Sequence, residues 1–443
     1  MSVLSFTGGI HPNYHKDYTS SKPVEKAAAP KTVYIPVSQH IGAPAKPTVK
    51  IGDSVKMGQM IAEAGGFVSA PVHASVSGTV KAFKTMSVPG GQKVNCIVIE
   101  NDFKEEISES LHPYPYIDDM SPEEILDVIK ISGIVGMGGA TFPTAVKLSP
   151  PPDKKVDVVI LNGAECEPYL TCDHRLMLEE PENVVYGCRA IMKVLGVTKG
   201  YIAIETNKQD AYDAVKKVAD EYKNIEVVQI ATKYPQGAEK QLIYACTQRE
   251  VPSGGLPADA GAVVDNVGTA AQIARSLKTG IPFIERNCTV TGSIIKEPKN
   301  LRIKLGTLYS EIVEQCGGFT EEPGKVISGG PMMGLAQSNL EVVANKGSGG
   351  ILCMSKKEAR LPEYTNCIRC AKCVEVCPMK LQPIFISGYS LLGNYEKSEE
   401  YHALDCIECG CCSYTCPAKR PLLQSIRVAK QEILAKRRRS SKK

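Results

Sequence analysis

The amino-acid sequence predicts an α/β multi-domain protein, and three observations carry that prediction. Between Val156 and Ile230, apolar runs of strand length alternate with amphipathic runs of helical period. From Lys31 to Glu100, β-branched runs are cut by Gly and Pro, and nine of the 17 cysteines crowd between Cys367 and Cys416. Alternating strands and helices build layered, largely parallel sheets, short runs between turns build a β domain, and a dense cysteine block needs a chemical cause. At roughly 150 residues per domain, a chain of 443 residues has room for about three cores.

Composition narrows the class. With 43% hydrophobic and 23% charged residues the chain is ordinary for a globular protein. Its longest apolar runs, such as Val158-Val159-Ile160-Leu161, fall far short of the ~20 residues that span a bilayer, so no transmembrane helix is expected. The first residues show no cationic stretch before an apolar core, which predicts no secretory signal and a cytoplasmic location. The net charge of +4 is unevenly spread. From Arg427 onward the chain carries eight Lys/Arg against one Glu, leaving the body mildly acidic. A basic end of this kind is either a solvated helix end with a frayed tail or a surface for anionic lipid, nucleic acid or an acidic partner. The solvated reading is taken, and no nucleic-acid partner is expected.

Residues 1–30 are rich in Pro, Lys, Ser and Ala with little apolar period, and are expected to wrap over a folded body or lie loose. Residues 31–105 form the small β domain. Its stretches Val49 to Gln59 and Ser69 to Val80 resemble barrel-sandwich domains of the biotinyl/lipoyl type. A carrier domain of that type needs a lysine at the hairpin tip, where this chain has Val72-His73-Ala74, so the module is read as structural and His73 as an ordinary histidine.

The central α/β domain is expected over 115–285. Ser121-Pro122-Glu123-Glu124 signals a helix start, with Ser as N-cap, Pro in the first turn and early acids. Strands are expected at Val156 to Leu161, Tyr201 to Glu205 and Ile225 to Ile230, with helices at about Glu182 to Leu195 and Asp210 to Tyr222. A second β-rich block follows over 286–345, then a Gly/Ser/Lys linker over 346–362, the cysteine domain over 363–430 and a basic tail over 431–443.

Without a secretory signal the cysteines are expected to stay reduced, which favours metal over disulfides. Cys367, Cys370, Cys373 and Cys377-Pro378 repeat as Cys406, Cys409, Cys412 and Cys416-Pro417, each with the C-x2-C-x2-C-x3-C-P spacing that grips a [4Fe-4S] cubane. Zinc, the rival, prefers two CxxC pairs and has no use for the final Cys-Pro. In two-cluster ferredoxins the fourth cysteine of each run crosses to the other cluster. That rule places Cys367, Cys370, Cys373 and Cys416 on one cluster and Cys406, Cys409, Cys412 and Cys377 on the other, leaving Cys411 as a non-ligand. The apolar spacing between the runs looks helical, which resembles the α-helical ferredoxins of multi-subunit oxidoreductases.

The loop Gly136-Met137-Gly138-Gly139-Ala140-Thr141 fails as a dinucleotide fingerprint, since it follows a helix and ends in Thr. Taken alone it is either a phosphate cradle opening onto a helix that carries Lys147 or a tight packing turn. Four ordered motifs add to it: the glycine loop with Phe142-Pro143-Thr144 and Lys147; Asn162-Gly163-Ala164-Glu165-Cys166-Glu167-Pro168; Gly237-Ala238-Glu239; and Asp265-Asn266-Val267 with Thr269. Together they resemble the FMN- and NADH-binding subunit of respiratory complex I. With the barrel-sandwich domain in front, a β-grasp-like block behind and a two-cluster C-terminus, nearly the whole chain resembles the RnfC proteins, components of the Rnf complexes, which are ion-translocating ferredoxin:NAD oxidoreductases.

That resemblance implies a site. Gly136, Gly138, Gly139 and Lys147 would cradle FMN, and Asn162, Glu165, Asn266 and Thr269 would line its ring and ribityl chain. Glu167, Glu239 and Phe142 would contact NADH. The complex I pattern has acids where this chain has Ala164 and Ala238, so the flavin contacts or potential are expected to differ. The implied reaction is hydride exchange between NADH and FMN followed by single-electron transfer through the clusters, with no side-chain acid or base. The implied partners are membrane-embedded and iron-sulfur subunits at the cytoplasmic face, with ferredoxin reached through them. Two other readings stay open: a soluble FMN/iron-sulfur reductase similar to the cobalamin reductases, and a non-catalytic electron-transfer scaffold.

Overall fold

Four apolar segments, Ile225–Ile230, Gly200–Glu205, Val158–Gly163 and Ala262–Asn266, lie side by side in that order as one parallel sheet. Both faces are buried, which is why these strands read as continuous apolar runs rather than alternating ones. On one face Val159, Leu161 and Ile202 pack against the helices Pro181–Leu195, Gln209–Ala219 and Val267–Thr279; on the other Val158, Ile160 and Ala203 pack against Glu239–Thr247. The helices Pro181–Leu195 and Val267–Thr279 approach so closely that a Cβ on Gly187 would sit 2.0 Å from the Ala270 carbonyl oxygen. In this computed structural model the described residues are 3–440.

The strand order carries functional information. The chain lays down Val158–Gly163, steps outward twice, then returns to place Ala262–Asn266 on the opposite side of Val158–Gly163. Connections therefore diverge between those two strands, and the crevice beyond their carboxyl ends is where open α/β sheets bind ligands.

The strands Thr32–Pro36, Lys93–Asn101, Gly78–Ser87 and Ser54–Val55 form one sheet of the N-terminal β domain; Lys46–Pro47, Met60–Glu63 and Val72–His73 form the other. Val33, Ile35, Ile61, Val72, Val80, Ile97 and Ile99 fill the space between them. His73 is buried, and burial together with Lys346 pushes its pKa down to about 3. It is a neutral core histidine.

A six-stranded mixed sheet follows, in the order Val24–Lys26, Lys299–Lys304, Glu285–Thr291, Gly350–Met354, Lys325–Ser328, Leu335–Gln337. Of the two courses open to residues 1–30, the segment takes the first and wraps over the folded body, with Val24–Lys26 pairing in parallel with Lys299–Lys304. One expectation is corrected here: the segment 346–362 is not all linker, because Gly350–Met354 pairs with Glu285–Thr291 and Lys325–Ser328 in the middle of this sheet. The Gly/Ser composition ahead of it masks the apolar run Ile351-Leu352-Cys353, whose side chains are fully buried.

Past residue 355 the described chain forms helices and turns without strands, including Lys372–Glu375, Pro383–Leu391, Tyr395–Glu400, Cys411–Thr415 and Leu422–Ser440. The basic tail expected over 431–443 is corrected as well. Helix Leu422–Ser440 runs through it and keeps Ile426, Ala429 and Ile433 buried against Ile386 and Ala403. Residues 441–443 lie outside the described residues. Among the described residues, no helix is long and apolar enough to cross a membrane.

Candidate functional site

The helical C-terminal part holds two cavities of similar size, about 380 and 360 Å³. Cys377, Cys406, Cys409 and Cys412 line the first, with Cys411 beside them. Cys367, Cys370, Cys373 and Cys416 line the second. Each gathers three thiols of one run and the last thiol of the other, as the crossed pairing requires. Left-handed residues recur at matching places, 39 residues apart, in the two runs: Arg369 and Glu408, Ala371 and Gly410, Lys380 and Lys419. These turns aim thiols inward and amides at sulfur. The N–H groups of Arg369 and Glu408 donate to the Sγ atoms of Cys367 and Cys406, each at 3.4 Å. Four soft donors, apolar walls and N–H groups on sulfur fit an iron-sulfur cluster in each cavity. The two differ in depth: Cys409 and Cys412 are buried, whereas Cys367 and Cys370 are exposed.

The glycine loop lies over the crevice at the strand ends. Gly136 N–H donates to the Phe142 carbonyl at 2.9 Å and Met137 N–H to Thr269 Oγ1 at 3.0 Å, which closes the loop onto the start of Val267–Thr279. Among the described residues, the amides of Gly138, Gly139 and Ala140 have no hydrogen-bond partner. A Cβ on Gly138 would crowd the Asn266 side chain at 3.1 Å, while one on Gly139 would meet nothing. Free amides in a small-residue loop beside a helix N-terminus make a fitting cradle for an anionic group.

Around that cradle the predicted polar residues are already bonded. Asn162 donates from Nδ2 to the Gly237 carbonyl at 2.8 Å and accepts at Oδ1 from Ala164 N–H. Asn266 caps its helix by accepting from Gly268 N–H and donates to Asp173 Oδ2 at 2.7 Å. Glu165 accepts from the amides of Asp173 and His174, the first turn of Cys172–Glu179. Burial and the Glu165 charge push Asp173 up to about 6. Lys147, the last residue of Thr144–Lys147, donates to the Val264 carbonyl at 2.5 Å and lies 3.6 Å from both Glu239 and Asp265. Burial opposes its charge, but those two acids outweigh burial and raise its pKa.

A third group joins the crevice to the first cavity. Tyr234, fully buried, donates its hydroxyl to the Cys409 carbonyl at 2.9 Å, and Gln241 donates to the Pro378 carbonyl at 3.0 Å. Cys166, whose Sγ accepts from Gly237 N–H, shares one apolar cluster with Tyr234, Met332, Cys409 and Cys411.

Comparison with known proteins matches this geometry part by part. The RnfC barrel sandwich hybrid domain matches residues 4–104, the Nuo51 FMN-binding domain 129–275, the SLBB domain 288–336 and the 4Fe-4S dicluster domain 361–417. The C component of the Na(+)-translocating ferredoxin:NAD(+) oxidoreductase complex of Acetobacterium woodii is 54% identical over 437 residues, covering 99% of each chain. The chain belongs to the RnfC family. The corresponding component of a proton-translocating ferredoxin:NAD(+) oxidoreductase complex from Clostridium ljungdahlii is 52% identical over 97% of this chain and 94% of its own. A chain of an NAD+-reducing [NiFe]-hydrogenase shares the fold at 17% identity, with a TM-score of 0.51 over 73% of this chain and 63% of the hydrogenase chain.

Within the RnfC fold, the sequence-predicted residues separate into two groups. Gly136, Gly138, Gly139, Phe142, Lys147, Asn162, Glu165, Glu239, Asn266 and Thr269 converge on the crevice or its loop. Glu167 does not: its carboxylate accepts from the amides of Met332 and Met333 at 3.1 and 2.8 Å, clamping the 330–334 loop of the mixed sheet. Two convergent amides beside Gly330 offer this carboxylate better partners than solvent, which gives Glu167 a structural role in holding that loop. The sequence reading missed Asp173, Lys16, Lys208, Tyr234 and Gln241. None of them belongs to a spaced motif; only the fold brings them to the crevice.

Proposed function

We propose that this chain is the nicotinamide-side electron-transfer subunit of a ferredoxin:NAD oxidoreductase complex. It exchanges electrons between NADH and two [4Fe-4S] clusters by way of FMN. The observation that carries this reading is the junction between the strand-end crevice and one cysteine cavity, in which hydrogen bonds link Asn162, Gly237 and Cys166, Cys166 packs in one apolar cluster with Tyr234, and Tyr234 donates to the Cys409 carbonyl. When bound, FMN supplies the link between a two-electron hydride donor and one-electron acceptors.

The chain's own residues hold and orient. The free amides of Gly138 and Gly139, with Gly136 closing the loop, would hold the anionic end of FMN together with Lys147, whose charge Asp265 and Glu239 keep in place. Asn162, Glu165, Asn266 and Thr269 shape the crevice walls, and Phe142 and Glu239 face the nicotinamide nucleotide. Cys406, Cys409, Cys412 and Cys377 hold the cluster nearer the crevice; Cys367, Cys370, Cys373 and Cys416 hold the outer one. The exposure of Cys367 and Cys370 suits electron exchange with partner subunits, which we assign to the membrane-embedded and iron-sulfur members of the complex at the cytoplasmic face, ferredoxin being reached through them. Ion movement then belongs to those partners.

Anaerobic titration of the purified, iron-replete chain with NADH, followed by visible and EPR spectroscopy after counting flavin and iron, tests the reading. Flavin bleaching accompanied by reduced-cluster signals is the expected result. Bound flavin with clusters that respond to dithionite but not to NADH overturns the nicotinamide assignment.

A further inference from the structure

The segment before the β domain threads between the crevice and the cluster part. Gly9 N–H donates to the Val376 carbonyl at 2.9 Å, and Ile10 exchanges backbone hydrogen bonds with Tyr234 at 2.8 and 2.9 Å. Gly8 and Gly9 are left-handed, at φ +84 and +83; a Cβ on Gly8 would lie 3.0 Å from the Cys377 carbonyl oxygen and one on Gly9 2.7 Å from that of Tyr234. Only glycines fit between those two peptides.

Seven residues on, Lys16 reaches under the loop that follows strand Val158–Gly163. Its ammonium donates to the carbonyls of Glu165, Glu167 and Leu170 at 2.8, 3.1 and 2.6 Å. Lys208, fully buried, donates to the neighbouring Ala164 carbonyl at 2.7 Å and to Glu205 at 2.9 Å. Two ammonium groups thus pull four carbonyls of one loop to the same side. The loop adopts a costly shape in doing so, since Glu165 and Tyr169 are left-handed without being glycine, at φ +46 and +68. Tyr169 N–H is held in turn by the Tyr14 carbonyl at 2.7 Å. Burial and the neighbouring Lys208 pull the Lys16 pKa down, but three carbonyl acceptors around one nitrogen can be served only by an ammonium, so the segment brings a positive charge beneath the crevice as well as a scaffold.

We propose that residues 4–26 act as a positioning strap for the redox route, with Lys16 fixing the 164–170 loop at the crevice end and the Gly8-Gly9 turn fixing the Cys377 loop at the cluster end. Lys16 is a positioning residue: it touches carbonyls of the loop that carries Glu165, whose carboxylate accepts from the Asp173 and His174 amides at the crevice. The proposal rests on the FMN reading given above.

The test uses the full chain with its clusters loaded. Lys16→Met keeps the unbranched stem, one atom shorter, and removes the charge and all three donors. It is expected to weaken FMN binding by about tenfold or more, as the loss of charge-assisted hydrogen bonds predicts, and to lower the FMN midpoint potential by removing a cation that favours the reduced, more negative ring. Iron content stays at the wild-type level, and Lys16→Arg restores part of both properties. Unchanged FMN affinity and potential in Lys16→Met overturn the proposal; failure of the wild-type chain to hold FMN would instead overturn the reading on which it rests. Should Lys16→Met not fold, Gly9→Ala gives a second measure by stopped flow. Flavin bleaching by NADH is expected at the wild-type rate with slowed cluster reduction, and an unchanged ratio of the two rates refutes the strap.

Discussion

At the scale of single residues, Lys147 shows how a binding cation is kept in place. Its ammonium sits 3.6 Å from both Asp265 and Glu239, and Asp265 is 2% exposed with one carboxylate oxygen lacking any partner. Lys147→Ala leaves that buried charge uncompensated, a change that costs about 3 kcal/mol, and is expected to lose FMN while both clusters remain. The flavin-to-iron ratio after purification and a thermal melt check the two parts. Glu167 gives a pH effect. Burial pushes it up to about 7, against the opposing pull of the Met332 and Met333 amides. A carboxyl raised in the folded state keeps its proton where the unfolded chain has released it, so its contribution is present at low pH and lost as pH rises from about 4 to about 7. For this partly buried group the loss is on the order of 1–2 kcal/mol. Hydrogen exchange at the Met332 and Met333 amides, corrected for the intrinsic rate, should quicken through that window, and Glu167→Gln should flatten the dependence. What each acid holds within the protein was not legible beforehand. Glu165 and Glu167 stand two apart in one motif, yet one caps a helix and the other clamps a loop more than 150 residues away.

Elements were legible where local chemistry decides them. Ser121-Pro122-Glu123-Glu124 announced Pro122–Ile131, and the structure shows the full capping box, Ser121 accepting from Glu124 N–H and Glu124 accepting from Ser121 N–H. The strands buried on both faces were legible by their apolar runs. Strands Gly350–Met354 and Val24–Lys26 were not, since both depend on pairing with segments far along the chain and sit beside residues typical of loops. Contact between helices was also silent in the sequence, although one glycine carries it. Gly187→Ala would press a methyl onto the Ala270 carbonyl and is expected to destabilise the central domain by about 1–3 kcal/mol, the cost of overpacking a rigid backbone contact. Denaturant unfolding, with flavin content measured in parallel, reads this directly. Recovery of wild-type stability would mean that the two helices part without penalty.

For the whole molecule, the two cysteine cavities differ in depth while sharing their turns, and this difference has a measurable result. Air exposure of the purified protein should release iron in two phases, with about half lost early from the site of the exposed thiols Cys367 and Cys370; one uniform phase, by iron release and EPR, would contradict unequal shielding. The order of the four parts was readable from motif order alone. How they touch was not, because the contacts run through single residues without a pattern, Lys16, Tyr234 and Lys346, the last donating to the Pro71 and Gly133 carbonyls. The crossed gathering of thiols also sets a timetable for biosynthesis. Cys416 stands 43 residues after Cys373, at the very end of the second run, yet it closes the cavity begun by Cys367. While the ribosome is still extending the chain, the first run has three sulfurs and an open corner, and the second is missing Cys377 until it folds back. Iron loading is therefore a late, joint event in the life of each molecule: neither centre can be completed as a stand-alone unit, and a nascent chain stopped short of Cys416 holds no finished outer site.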